Sequence, residues 1–186
     1  MIERRRRFGS AAVRSASEAI CDRVRELPEW QHAGTVALYA GWGGEADPSL
    51  LAAWADSRRL AFPTVLPGEP LLRFFRVTRP EELKPGTFGI PAPPVEDDNE
   101  VAIPEIDLFL VPGVAFDGAG RRLGMGKGYY DQILATARPD ATRAGIAFAW
   151  QLVGLVPVEP HDLGMDLVVT DERVLRLPRR SERTGA

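Results

Sequence analysis

The sequence predicts an α/β layered domain on a mostly parallel sheet, and three features point that way. Short apolar runs rich in strand formers alternate with stretches of helical spacing. The strongest run, "IDLFLVPGVAF", is apolar along nearly its whole length, as a strand covered on both faces must be. The chain has 186 residues, 45% hydrophobic and 26% charged, which suits one full-sized core. A single domain spanning 1–186 is expected, with loose tails at about 1–10 and 178–186.

Residues 11 to 27 form the first regular element, because Val13, Ala16, Ile20, Val24 and Leu27 fall along one helical face. "TVALYA", Thr35 to Ala40, reads as a strand running into the glycine-rich turn "GWGGE". In "DPSLLAAWADSRR", Asp47 is placed as an N-cap with Pro48 at the first helical position. "LAFPTV" and "LLRFFRV" predict two more strands, and "IDLFLVPGVAF" a buried one ending at Pro112-Gly113. A helix to about Ala137 follows, then strands in "TRAGIAF", "LVVT" and "RVLRL". Thr78 to Pro104 stands apart. Its six prolines and acidic "EDDNE" leave it no pattern of its own, so it reads as a binding loop or irregular surface segment.

Composition excludes several classes. Net charge is −3, so no overall basic field invites nucleic acid or a membrane surface. Arg4 to Arg7 leave RNA contact only as a local option. The lone cysteine, Cys21, rules out an internal disulfide and any multi-cysteine metal site, which suits a reducing cytoplasm. The sequence shows neither an apolar run of ~18 residues nor a signal-peptide pattern, and a cytoplasmic location is expected.

The chemistry concentrates in "RRLGMGKGYYDQIL", Arg121 to Leu134. The strand before it delivers the chain to the carboxyl edge of a sheet, where open α/β folds bind ligands. Glycines let backbone N–H groups approach an anion closely, the helix start adds partial positive charge, and Lys127 adds a full one. The stretch fits neither standard pattern. A P-loop needs a hydroxyl residue after the lysine, where Gly128 stands, and the dinucleotide fingerprint needs glycine where Tyr129 stands. It is therefore a phosphate loop of another kind or a glycine-rich turn with an exposed lysine. Asp131 follows Lys127 by four residues, which makes either a surface ion pair or a carboxylate for Mg²⁺ beside phosphate oxygens. Tyr130, Ile133, Leu134 and Ala137 read as the buried stripe of the helix, with Tyr129 turned elsewhere.

"RLGMGKGYYD" closely resembles the signature of the 5-formyltetrahydrofolate cyclo-ligase family, also called methenyltetrahydrofolate synthetases. "LPEW" with "TVALYA" and Glu45, "LKPGTFGIPAPP", "DLFLVPGVAFD" and "VEPHDLGMDLVVTDERV" resemble further family segments in the same order. The resemblance covers roughly residues 18 to 175. It implies a three-layer α/β/α, Rossmann-like domain (NagB/RpiA/CoA-transferase-like), working as a monomer on small molecules. It further implies ATP- and Mg²⁺-dependent cyclisation of 5-formyltetrahydrofolate to 5,10-methenyltetrahydrofolate, with ADP and phosphate released.

Carried over by position, Arg122, Leu123, Gly124, Met125, Gly126, Lys127, Gly128, Tyr129 and Tyr130 wrap the ATP phosphates. Lys127 and Arg122 are the charged contacts, and these two with Tyr130 are the catalytic candidates. Asp131 and Asp162 match the Mg²⁺ carboxylates. Ala40, Glu45, Phe88, Met125 and Tyr129 match the folate contacts, Glu45 at the polar edge of the pterin. His161 would orient Asp162 or take part in chemistry, Trp42 would line the pocket or lie exposed, and His32 belongs to the surface. Two departures stand out. The family's basic first helix, K-x-x-L-R, would fall before or around Met1, with Arg4 to Arg7 as its substitute. Ala92 stands where bacterial relatives carry an acidic residue. The alternative reading is a non-catalytic folate- or nucleotide-binding relative with a regulatory role.

Overall fold

The computed structural model describes residues 2–66, 68–69, 71–157, 159 and 162–178; the side chains of Ile2, Arg6 and Phe88 lie outside that description. Helices α1 (Ile2–Arg7), α2 (Ser10–Glu26) and α3 (Pro28–His32) lead into strand β1 (Thr35–Ala37). Strands β2 (Arg59–Val65) and β3 (Leu72–Arg76) follow, then β4 (Lys84–Pro85), β5 (Pro91–Ala92) and β6 (Glu100–Val101). The second half holds β7 (Leu108–Pro112), β8 (Ala115–Asp117), β9 (Arg122–Leu123) and α4 (Tyr129–Thr136). It closes with β10 (Thr142–Ile146), β11 (Leu152–Val153), β12 (Leu167–Val169) and β13 (Val174–Arg176).

The main sheet runs β13-β12-β10-β7-β1-β2-β3-β6. Its heart, from β12 through β10, β7 and β1 to β2, is parallel, and the strands outside it pair antiparallel. β7 lies at the centre because Leu108–Val111 can be buried on both faces, each at most 1% exposed. Alternation along it sends Leu108 and Leu110 to one core and Phe109 and Val111 to the other. The first core takes Ala16, Ile20, Val24 and Trp30 from α2 and α3, and the second takes Ile133 and Leu134 from α4. That makes the three layers.

The expected face of α2 is buried, and Asp47 caps as expected. Its Oδ1 accepts from Ser49 N at 3.1 Å and Gly41 N at 2.9 Å, although the turns that follow form a 3-10 helix, Pro48–Trp54. Two expectations need correction. The front is a helix and not a loose tail. The Arg4 guanidinium lies 4.9 Å above the Trp150 ring, and Phe8 packs on Phe148 with ring centres 4.9 Å apart. Arginine's apolar stem and flat head let a basic run settle on aromatic surface. Residues 78–104 also carry structure of their own, the β4–β5 hairpin and edge strand β6 joined by 3-10 turns. Of the expected rear tail, residues 179–186 lie outside the described residues.

The topology creates one crevice. β1 crosses to β2 on one side, while β7 leads through α4 to β10 on the other. The segments leaving neighbouring β1 and β7 therefore diverge at their carboxyl ends, where such sheets bind ligands.

Candidate active site

The loop leaving β7 is pinned before it reaches the glycines. Phe116 is buried against Gly113 and Gly145; a Cβ on either would stand 2.6 or 2.5 Å from its ring. Gln151 Nε2 donates to the Gly113 and Val114 carbonyls at 2.9 and 3.1 Å. The buried Asp117 carboxylate accepts from Ala119 N, Arg121 N and Val156 N at 2.9 to 3.0 Å, closing the turn between β8 and β9. This scaffold carries Arg122 to the crevice. Gly126 (φ 85°) and Gly128 (φ 64°) then take left-handed turns that a side chain would resist. Gly128 is the N-cap of α4, and no side chain caps the helix there. First-turn amides set in a glycine turn suit an anion.

Arg122 Nη2 donates to Asp131 Oδ2 at 2.7 Å, with the two side chains only 6% and 14% exposed. Arg122 Nε is buried without a hydrogen-bond partner, and the guanidinium lies 5.8 Å from the Tyr130 ring centre. Asp131 Oδ1 accepts from Leu163 N at 3.3 Å, so the segment holding Asp162 reaches the start of α4. Asp162 Oδ2 accepts from Glu159 N at 2.7 Å, which makes it a turn cap in this state. Lys127 Nζ stands 5.8 Å over the Tyr129 ring. A groove of about 430 Å³ is lined by Gly126, Lys127, Gly128, Asp131, Gln132 and Ala135.

Glu45 faces this cluster from the segment after β1. Its Oε1 accepts from Arg5 Nη1 at 2.9 Å. Burial pushes the Glu45 carboxyl up, and Arg5 counters it in part. Burial likewise raises the Tyr130 hydroxyl, with Arg122 opposing and Glu45 adding. Tyr39 is raised by burial first, then by Glu45 and Tyr130. Glu45, Tyr39, Tyr130, Arg122 and Asp131 thus form one electrostatic cluster across the crevice.

Most residues singled out in the sequence gather here. Ala40 is half-buried beside Tyr39, Leu123 and Met125 are exposed, and Gly124 packs near the Arg122 guanidinium. Tyr129 packs partly on the second core while still meeting Lys127. Trp42 is 44% exposed, and its Nε1 comes within 3.8 Å of a Cβ placed on Gly89. The Phe88 side chain and His161 lie outside the described residues. Sequence reasoning missed Arg5 as the partner of Glu45, and Tyr39, Asp117 and Gln151 as supports. For Asp117, "DGAG" after an apolar run was an available turn signal. For the Arg5–Glu45 pair, no local spacing offered one.

Among families of known proteins, the model of the 5-formyltetrahydrofolate cyclo-ligase family matches residues 1–171. The chain belongs to that family. Within this cyclo-ligase family, the Escherichia coli (strain K12) 5-formyltetrahydrofolate cyclo-ligase is 30% identical over 176 residues, 92% of this chain and 97% of that one. The Mycolicibacterium smegmatis cyclo-ligase is 34% identical over 146 residues, 75% of this chain and 74% of that one. Among solved structures, the Aquifex aeolicus 5,10-methenyltetrahydrofolate synthetase superposes with a TM-score of 0.82 at 33% identity, covering 95% of this chain and 88% of that one. The Mycoplasma pneumoniae 5,10-methenyltetrahydrofolate synthetase, at 24% identity and a TM-score of 0.73, supports the fold. This chain is accordingly an enzyme of a ligase family. No helix among the described residues is long and apolar enough to cross a membrane.

Proposed function

We propose that this enzyme cyclises 5-formyltetrahydrofolate to 5,10-methenyltetrahydrofolate at the expense of ATP. The observation that carries the reading is the uncapped, glycine-rich start of α4 with Lys127, Arg122 and Asp131 around it, facing Glu45 across the switch point. A formamide carbon is a poor electrophile and its oxygen a poor leaving group. The formyl oxygen attacks the γ-phosphorus, the bond to the bridging oxygen breaks, and ADP leaves. N10 then attacks the activated carbon and loses its proton. The ring nitrogens' electron density expels phosphate, leaving the N5–C–N10 amidinium.

This chain's residues position and neutralise. Amides at the α4 start and Lys127 hold phosphate oxygens. Arg122, whose buried Nε lacks a partner, turns toward charge building on the transferring group. Glu45 accepts hydrogen bonds from the folate's polar edge, flanked by Ala40, Met125, Tyr129 and Phe88. Tyr130 keeps its proton and serves as a donor and packing surface.

Among the described residues no three His, Cys, Asp or Glu side chains group as a metal site. Mg²⁺ does not need them, since it keeps waters and takes one or two carboxylates beside substrate phosphates. Asp131 and Asp162 fit that role, and the metal would supply charge neutralisation at the phosphate oxygens. Purified protein with 5-formyltetrahydrofolate, ATP and Mg²⁺ should gain near-ultraviolet absorbance as the methenyl product forms. Binding of both substrates without that gain would instead favour a non-catalytic regulatory relative.

A further inference from the structure

The N-terminal helix reaches the Glu45 side of the crevice at Arg5. Arg5 is only 7% exposed although it belongs to a run of four arginines. Its Nη1 meets Glu45 Oε1 at 2.9 Å. Its backbone also touches the turn that carries Glu45: a Cβ on Gly44 would stand 3.0 Å from the Arg5 carbonyl oxygen, and one on Gly43 4.0 Å from Nη2. Both glycines have positive φ, 81° at Gly44 and 60° at Gly43, so the turn is shaped to let this arginine lie along it. Arg4 over Trp150 and Phe8 on Phe148 fix the helix on either side of Arg5. Glu45 N donates to Trp42 O at 3.3 Å and closes the turn, and a hydrogen bond from the Trp42 backbone joins Arg5 in holding the carboxylate.

We propose that Arg5 is a positioning residue for the folate site: it holds the Glu45 carboxylate in the orientation that receives the pterin. This rests on the reading of Glu45 as a folate contact. It differs from the role that the resemblance implies for a basic front helix, which is to reach the nucleotide. A buried carboxylate stripped of its guanidinium turns away or takes up a proton, and either spoils it as an acceptor. Arg5 therefore acts on folate affinity without touching folate.

The test is a double-mutant cycle on full-length protein, with KM measured separately for 5-formyltetrahydrofolate and ATP. Arg5→Met should raise the folate KM about 10-fold and leave the ATP KM within about twofold. In a Glu45→Gln background the same change should add less than about twofold, because the group it positions is gone. Arg5→Lys should recover at least half of the loss on a logarithmic scale. A raised ATP KM with the folate KM unchanged would overturn the proposal and return Arg5 to the nucleotide, and so would an undiminished penalty in Glu45→Gln. If Arg5→Met shows no melting transition, the cycle is run with Arg5→Lys, which must again act on the folate KM alone. Glu45→Gln by itself separates the two readings: an unchanged folate KM removes the premise that Glu45 binds folate, whatever Arg5 does.

Discussion

Lys127 and Asp131 sit one helical turn apart at the start of α4, yet the structure gives them different neighbours. Lys127 leans on Tyr129, while Asp131 is held by Arg122 at 2.7 Å and by Leu163 N. The i, i+4 spacing left a surface ion pair and a ligand site both open; Arg122, nine residues back, is the partner that spacing could not show. Lys127→Ala and Asp131→Asn should each lower kcat/KM by at least ~10²-fold, the scale expected of positioned charges facing developing charge. Melting temperatures near wild type would show that the loss is chemical. Near-normal rates in either variant would take that residue out of the phosphate site. The Arg5–Glu45 contact was hidden for a related reason. Its members lie 40 positions apart, and "RRRR" looks alike at every position until the fold buries one of them.

At the level of elements, the strands of the parallel heart were legible because each carries a dense apolar run that only a doubly covered strand can use. The two-residue strands β4, β5, β6, β9 and β11 were not, since two residues are too few to show alternation, and β6 and β11 also depend on pairing with β3 and β8 far back in the chain. Nor was α1, too short to be stable alone and held by Phe8 and Arg4 on aromatic rings. Two predictions belong here. Gly145 in β10 gives the Phe116 ring its space, so Gly145→Ala should destabilise by about 2 kcal/mol in urea titration, and Phe116→Leu should restore part of it. An additive loss in the double variant would contradict this. Asp107 joins the starts of β1 and β7, accepting from Gly34 N and Thr35 N while Arg138 donates to its other oxygen. Burial pushes its carboxyl up, but these bonds outweigh burial and hold it below the ordinary 3.8. A lowered pKa means the stabilisation is present above that value and fades as pH falls through the lower folded one. Asp107→Asn should therefore lower the urea midpoint at pH 7, by about 1 kcal/mol in stability, and the gap should close toward pH 3. A gap that is constant with pH would mean the charge is irrelevant.

For the molecule as a whole, strand order decides where function lies. β1 and β7 are neighbours whose crossovers leave in opposite directions; Glu45 follows the first, Arg122, Lys127 and Asp131 follow the second, and Arg5 reaches across from α1. The alternation of strands and helices foretold the layers, and the glycine run marked the α4 wall of the crevice. The Glu45 wall was less legible. The segments that meet around Glu45, the front helix and the turn after β1, lie far apart in the chain. In the proposed binding mode, amides and Lys127 at the start of α4 hold a triphosphate beside Asp131 while Glu45 faces them across the crevice. A crystal structure of the protein soaked with a non-hydrolysable ATP analogue and Mg²⁺ tests it most directly. The β- and γ-phosphate oxygens should lie within ~3 Å of amides between Gly126 and Asp131 and of Lys127 Nζ. A nucleotide bound at another sheet edge, with that turn empty, would contradict it.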